Sequence, residues 1–187
     1  MTAITIVHGG QTGVDRGAHE AAIDNGWGVA GYMPRDGRDE LGKIPEAVAR
    51  FLVAHDKTSY AARTEANVRT ATAALIVVRD ADDPRETPGT AKTIALAAAR
   101  RLPRMIVDPT AEAETIARWI WRDLLMRQAL LLPLLGQAFD HVPPRLLVAG
   151  PRESKWQGAR VQTAALLRRV ARALADICPV PARSNIA

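Results

Sequence analysis

"AITIVHGGQTGVDRGAHEAA", residues 3–22, decides the fold. An apolar run rich in β-branched residues (3–8) leads into a turn holding Gly9, Gly10 and Gly13, and an alanine-rich run follows. That order reads as strand, glycine turn, helix, with the helix from about Arg16 to Asn25. The same alternation continues down the chain. "WGVAGY" (27–32) reads as a short strand, "MPRDGRDELGKIP" (33–45) as loop, and helices are expected over 46–53 and 60–72. "ALIVVR" (74–79) is a continuous apolar run of the kind buried on both faces of a parallel sheet. A helix at 90–101 and the strand "RMIVD" (104–108) follow. Asp108 before Pro109 predicts an N-cap opening a helix that runs past Trp121. "RLLVAG" (145–150) is the last strand, and a helix over about 156–176 closes the chain. Strands alternating with helices predict a doubly wound parallel α/β sheet in three α/β/α layers. With no repeat or linker, residues 1–187 are expected to form one domain.

Composition bounds the function. At 48% hydrophobic and 24% charged residues the chain has the balance of a globular domain. No apolar run reaches the ~20 residues that span a bilayer; "LLMRQALLLPLLGQAF" (124–139) is broken by Arg127, Gln128 and Pro133. The opening "MTAITIV" lacks the charged start of a secretory signal, and a cytoplasmic protein with no membrane partner is expected. A single cysteine, Cys178, excludes an internal disulfide and a thiolate cluster. The net charge of +5 invites an anionic partner, yet acidic residues are interspersed and no block of like charge occurs, so nucleic acid is not expected. In the final helix Val161, Ala164, Leu167, Val170, Leu174 and Ile177 recur at helical spacing and predict the sheet-facing stripe. Ile116, Trp119, Ile120, Leu124 and Leu125 suit one face, but Leu130, Leu131, Leu132, Leu134 and Leu135 follow almost at once. That run is either a helix bending over the sheet at Pro133 or a subunit interface; the interface is the favoured reading.

In an open parallel sheet, ligands bind beyond the carboxyl ends of the strands. Four polar stretches are expected there. The first is Gly9-Gly10-Gln11-Thr12-Gly13 with Arg16, in which backbone N–H groups and a guanidinium fork suit an oxyanion. Asp15 reads as a cap or as the orienter of Arg16. The spacing is neither a dinucleotide fingerprint nor a P-loop. The second is "RTEANVRTA" (63–71), placing Arg63, Asn67 and Thr70 on one helical face and Glu65 and Arg69 on another, equally consistent with an exposed helix. The third is "TPGTAKT" (87–93), where Gly89 and Thr90 open a helix beside Lys92 and Thr93. The fourth is "AGPRESK" (149–155), with Gly150, Arg152 and Lys155 toward an anion and Glu153 or Ser154 capping. No catalytic constellation accompanies them: His8, His19, His55 and His141 lack metal-ligand spacing, and His8 at a strand end suits a structural hydrogen bond. Trp156 reads as packing, with stacking on a flat ring as the alternative.

"GGQTGVDRGAHEAAI", "RTEANVR", the "PGT..T" loop and "VAGPRESK", spread over residues 4–175, together resemble the molybdenum-cofactor carrier proteins, Rossmann-like relatives of the lysine-decarboxylase-like phosphoribohydrolases. The resemblance implies a carrier of molybdenum cofactor (molybdopterin), an anionic ligand, with no established chemistry. It implies a homo-oligomer, dimer or tetramer, with molybdoenzymes as possible recipients. Carried over, the ligand residues are Gly9, Gly10, Gln11, Thr12, Gly13, Arg16, Arg63, Asn67, Arg69, Gly89, Thr90, Lys92, Thr93, Gly150, Arg152 and Ser154. The chain departs from the family at Pro88 (a second glycine there), at Lys92 (apolar), at Ala66 (a large aromatic) and at Thr70-Ala71, and its 109–143 segment is longer. The alternative is a nucleoside-monophosphate phosphoribohydrolase or another nucleotide-monophosphate binder. Such an enzyme needs a glutamate close behind the glycine loop, and "TPGTAKTIAL" has none.

Overall fold

A computed structural model of the chain describes residues 4–85, 87–126 and 144–177. Five parallel strands form the central sheet: β1 (Thr5–Val7), β2 (Gly28–Ala30), β7 (Ala73–Val77), β8 (Arg104–Val107) and β9 (Arg145–Ala149), in the spatial order β2-β1-β9-β7-β8. Both faces are buried, so side chains alternate between two cores. Ile4, Ile6, Leu75, Val77, Leu146 and Val148 point into one, under helices α1 (Val14–Asp24), α5 (Ala113–Trp119) and α6 (Ala159–Ile177). Val7, Ala74, Ile76, Val78 and Leu147 point into the other, under α3 (Tyr60–Thr70) and α4 (Pro88–Ala99). The three-layer doubly wound sheet is the one the alternation predicts.

The order of strands is not the order of the chain. Counted from β9, the sheet runs 3-2-1-4-5 (β9 first, β1 second, β2 third, β7 fourth, β8 fifth), the doubly wound arrangement with its start moved to the other end of the chain. The last strand therefore lies at the centre, hydrogen-bonded to β1 and to β7. The topological switch point falls between β9 and β7, where their connections leave to opposite sides. That places the ligand crevice around the loops after those two strands.

Residues 33–45 are more structured than their turn-rich composition predicts. A two-residue hairpin, β4 (Arg38–Asp39) with β5 (Gly42–Lys43), is followed by the short α2 (Glu46–Ala49), which stops well before residue 53. Tyr32–Met33 (β3) pairs in parallel with Val53–Ala54 (β6), a strand with no sequence signal. Ile44, Val48 and Leu52 make a small core of their own beneath this cap. Asp108 does not cap the next helix: its carboxylate accepts the Thr110 amide and hydroxyl (2.7 and 2.5 Å), and α5 starts four residues beyond Pro109.

Ile116, Trp119, Ile120 and Leu124 are buried against α6, with α5 continued by a π-helical turn, Ile120–Met126. The leucines at 130–135, Pro133, His141 and Cys178 lie outside the described residues, and with them residues 127–143 of the expected 109–143 insertion. On α6, Ala164, Leu167, Val170 and Leu174 are buried as predicted, but Val161 is 69% exposed. At 100° per residue it sits about 120° around the helix from Leu167, and Thr163 and Leu166 take its place. Arg160 and Arg168 pair with Glu20 and Asp24 of α1 at 2.5 and 2.6 Å. Among the described residues, no helix is long and apolar enough to cross a membrane.

Candidate functional site

A cavity of about 450 Å3 opens at the switch point. Its volume lies in the ~300–1,000 Å3 range of small-molecule sites. The β1 loop supplies Gly9, Gln11 and Asp15; α3 supplies Tyr60, Ala61, Arg63, Thr64 and Asn67; the start of α4 supplies Thr87, Pro88, Gly89, Thr90, Lys92 and Thr93. The end of β9 and its loop supply Leu147, Ala149, Gly150, Pro151, Arg152 and Lys155. All four predicted stretches thus meet in one place. Of the ligand residues expected from sequence, Gly10, Thr12, Gly13, Arg16, Arg69 and Ser154 are not among those lining it.

The glycine loop is not the anion nest its sequence suggests. The N–H groups of Gly9, Gly10 and Gln11 face the protein's own acceptors. Gly9 and Gln11 donate to the Asp15 carboxylate at 2.9 and 3.1 Å, and Gly10 donates to His8 Nδ1 at 3.0 Å. The first amide of α1, on Val14, goes to the Pro151 carbonyl at 3.2 Å. Gly13 (φ 71°) must be glycine because a Cβ there would lie 2.5 Å from that same carbonyl, so the β1 and β9 loops touch backbone to backbone. Asp15 therefore orients the loop and Arg63, not Arg16, and the first amide of α1 is already taken. His8 is fully buried, and burial above all, then His19, Arg16 and Arg63, lowers its pKa to about 3. With Nδ1 accepting from Gly10, its proton sits on Nε2, 3.2 Å from His19 Nδ1. The structural role expected for His8 is the one observed. Trp156 is 5% exposed within the core and serves packing.

Thr12, Arg16 and Ser154 build the wall behind the cavity instead. Arg16 pairs with Asp39 of the hairpin at 2.6 Å and donates from Nε to the Gly10 carbonyl at 3.1 Å. Glu40 accepts from the Thr12 hydroxyl, the Ser154 hydroxyl and the Ser154 amide, while the Thr12 oxygen accepts the Glu153 amide. One half-buried carboxylate thus ties the hairpin to the β1 and β9 loops. Partial burial raises the Glu40 carboxyl. The Ser154 and Thr12 hydroxyls, the Ser154 amide and Arg152 outweigh that and hold its pKa below the ordinary value. A lowered folded pKa gives stability that is present above the unfolded value, about 4.3, and lost as pH falls through the folded one. Glu40→Gln is expected to cost about 1 kcal/mol at neutral pH, the worth of a partly exposed charged hydrogen bond. Urea unfolding from pH 7 down to pH 3 should show the wild type losing that margin on acidification while the variant's curve is flatter.

What remains in the cavity is cationic. Among the described residues, Arg63, Lys92, Arg152 and Lys155 line it against the carboxylate of Asp15. Arg63 is the unusual group. Its side chain is 11% exposed, its NH1 lies 3.6 Å from Asp15, and its Nε is buried with no partner. Burial lowers the Arg63 pKa and raises that of Asp15, each opposed by the other's charge. Gln11 Oε1 is a second buried atom without a partner, although Nε2 of the same amide reaches the Arg38 carbonyl at 3.4 Å. The start of α4 offers the helix N-terminus that α1 does not. Thr87 caps the Thr90 amide, Thr93 returns its hydroxyl to Gly89, and a Cβ on Gly89 would meet nothing within 4 Å. Asn67 lines the cavity, but its amide already holds Tyr32 on both sides, accepting from its N–H at 2.7 Å and donating to its carbonyl at 3.1 Å. Arg69 points to solvent. Tyr60, Thr64 and Thr87 were not legible as site residues. The available signal was the helix-start aromatic three residues before Arg63.

Comparison with known proteins agrees with the fold and its circular permutation. Residues 6–171 match the model of the circularly permutated YpsA SLOG family. Among solved structures, the fold resembles the crystal structure named "Putative molybdenum carrier protein" from Syntrophus aciditrophicus SB, with a TM-score of 0.72 and 26% identity. That likeness covers 90% of this chain and 95% of the other. No curated protein matches.

Proposed function

The chain belongs to the circularly permutated YpsA SLOG family, and from that premise we propose that it holds a phosphate-bearing small molecule, molybdenum cofactor foremost, in the cavity between β7 and β9. The observation that carries this reading is Arg63: a buried guanidinium with an unpartnered Nε, in a cavity where four basic side chains face one acid. An arginine so placed gains from a phosphate or oxo group that takes the donors Asp15 leaves free. The similar structure carries a molybdenum-carrier name. The residues fit the organic part of that cargo. Arg63, Lys92, Lys155 and the N-terminus of α4 suit a phosphate, and among the described residues no cysteine or histidine lines the cavity to offer the metal a thiolate or an imidazole. The metal would stay with the pterin dithiolene. With this reading goes a cytoplasmic homo-oligomer, dimer or tetramer, that passes its cargo to molybdoenzymes.

A nucleotide monophosphate has the same anionic chemistry. No observation favours its hydrolysis over its binding. Glu153 caps α6, accepting from Gly158 and Arg160 at 2.5 and 3.1 Å; Asp15 is held by the loop amides; Glu65 is exposed on α3. The test is retention. Purified protein incubated with molybdenum cofactor and desalted is expected to keep molybdenum, and Lys92→Glu/Lys155→Glu is expected to keep at least tenfold less. Retention by the wild type no greater than by that variant overturns the reading. Release of free base from adenosine or guanosine monophosphate would replace it with the hydrolase.

A further inference from the structure

The ligand cavity lies beyond the carboxyl ends of β7 and β9. The opposite edge of the sheet carries positive charge with nothing to balance it. Arg104 and Arg145 are the first residues of β8 and β9, the two strands that flank β7. Arg104 stands beside Ala74, and Arg145 is two residues before Leu147, whose side chains both face the core under α3 and α4. Alternation therefore puts both arginines on that face, two strand spacings or about 10 Å apart. The connections entering these strands bring more. Arg69 lies in the last turn of α3, and Arg100 and Arg101 link α4 to β8. Arg69, Arg100, Arg101 and Arg104 are exposed, and Arg145 is half-buried.

Elsewhere on the molecule arginines are paired: Arg118 with Glu114, Arg160 with Glu20, Arg168 with Asp24. Among the described residues, the side chains of these five have no ion pair or hydrogen bond, and Glu65, one turn back from Arg69 on α3, makes none with it. Arg145 Nε is buried without a partner. Arg101 adds strain. With φ 53° it is the one non-glycine among the described residues in the left-handed region. Its amide donates to the Ala98 carbonyl and that of Leu102 to the Ala97 carbonyl, both at 2.9 Å. That is the pattern of a helix C-terminus whose left-handed position ordinarily goes to glycine. Arginine there costs stability that glycine would not, and residues kept in such conformations cluster at functional sites.

We propose that this edge is a docking surface for a carboxylate-rich face of a partner protein, separate from the small-molecule cavity at the other end. Guanidinium forks bind carboxylates and phosphates alike. The helix ends decide between the two. Both α3 and α4 turn their C-termini, the negative ends of their dipoles, toward this edge, because each leads into the strand that starts there. A nucleic-acid backbone, anionic throughout, would meet those carbonyl ends as well as the arginines. A protein face can set N–H groups against the carbonyls and carboxylates against the guanidiniums. Nor do segments 69–72, 100–104 and 144–145 contain an aromatic residue for a base to stack on.

Fluorescence anisotropy with labelled poly-L-glutamate near physiological salt tests it, beside an oligothymidylate of equal charge. The wild type is expected to bind poly-L-glutamate more tightly than the oligothymidylate. Arg100→Gln/Arg104→Gln should weaken poly-L-glutamate binding by about tenfold or more, whereas Lys92→Glu/Lys155→Glu, in the ligand cavity, should change it by less than about twofold. Arg101→Gly should weaken it roughly threefold while raising the melting temperature by about 2–4 °C, because glycine relieves the turn. A merely structural turn would gain the stability and keep the affinity. No binding of poly-L-glutamate by the wild type, an equal loss in the two double variants, or an Arg101→Gly protein that binds as the wild type does overturns the docking surface and leaves the ligand cavity standing. Tighter binding of the oligothymidylate overturns the class of partner in favour of nucleic acid.

Discussion

Asp15→Ala is expected to destabilise the fold by about 3–5 kcal/mol, the cost of leaving one partner of a buried ion pair uncompensated. For a chain of this length that is a fall of roughly 10 °C in melting temperature. Two consequences combine. The amides of Gly9 and Gln11 lose their acceptor, and Arg63 keeps its burial without the carboxylate 3.6 Å away. The same reasoning predicts how the loss can be reversed. Arg63→Met in the Asp15→Ala background removes the uncompensated charge and should recover part of the stability, so the two substitutions are non-additive. Added phosphate should also raise the melting temperature of Asp15→Ala more than that of the wild type, because the anion then takes the place of the missing carboxylate. Thermal unfolding of the three variants with and without phosphate decides it. An Asp15→Ala protein as stable as the wild type would show that the pair is not a structural element.

Asp15 also shows where reading the sequence stops. The apolar runs at 3–8, 74–79 and 145–150 are local patterns, and strands, turns and helices fall where those patterns put them within a few residues. The recipient of the loop's N–H groups is a tertiary fact. A glycine turn before a helix has the same sequence whether its amides face a ligand or a carboxylate one helical turn on, and only the folded loop shows that Asp15 fills the nest. The central position of β9 is equally hidden, since nothing within residues 145–149 says that the strand will slot between β1 and β7. The 38–43 hairpin is two residues a side, too short for alternation to register, and its turn formers read as loop. Through that hairpin Arg16 and Thr12 are held by Asp39 and Glu40 and do not line the cavity. Arg63 was visible as one basic residue among several on a helix of uncertain face. Its distinction, burial beside Asp15 with an unused Nε, comes from Gly9 as much as from α3: a Cβ at position 9 would lie 1.6 Å from Arg63 NH1.

That contact supplies the last prediction. Arg63→Met is expected to weaken binding of a phosphate-bearing ligand by about a hundredfold, within the 2–5 kcal/mol attached to truncating a buried, hydrogen-bonded charge at a binding site. Because the substitution removes a charge together with a positioned donor, its effect on affinity alone would not separate the two. Gly9→Ala makes the separation. The atoms in its way are the end of a flexible arginine rather than backbone, so the guanidinium can swing aside and the fold can persist. The cavity would then keep its charge but lose the place where that charge is held. If Arg63 acts by position, Gly9→Ala should lose most of the affinity that Arg63→Met loses, with a melting temperature below that of the wild type because the displaced guanidinium also leaves Asp15. If it acts only through the cavity's net charge, Gly9→Ala should bind as the wild type does, and Arg63 would be one cation among four. Titration with guanosine monophosphate beside thermal unfolding of both variants distinguishes a fixed ligand contact from a general electrostatic field.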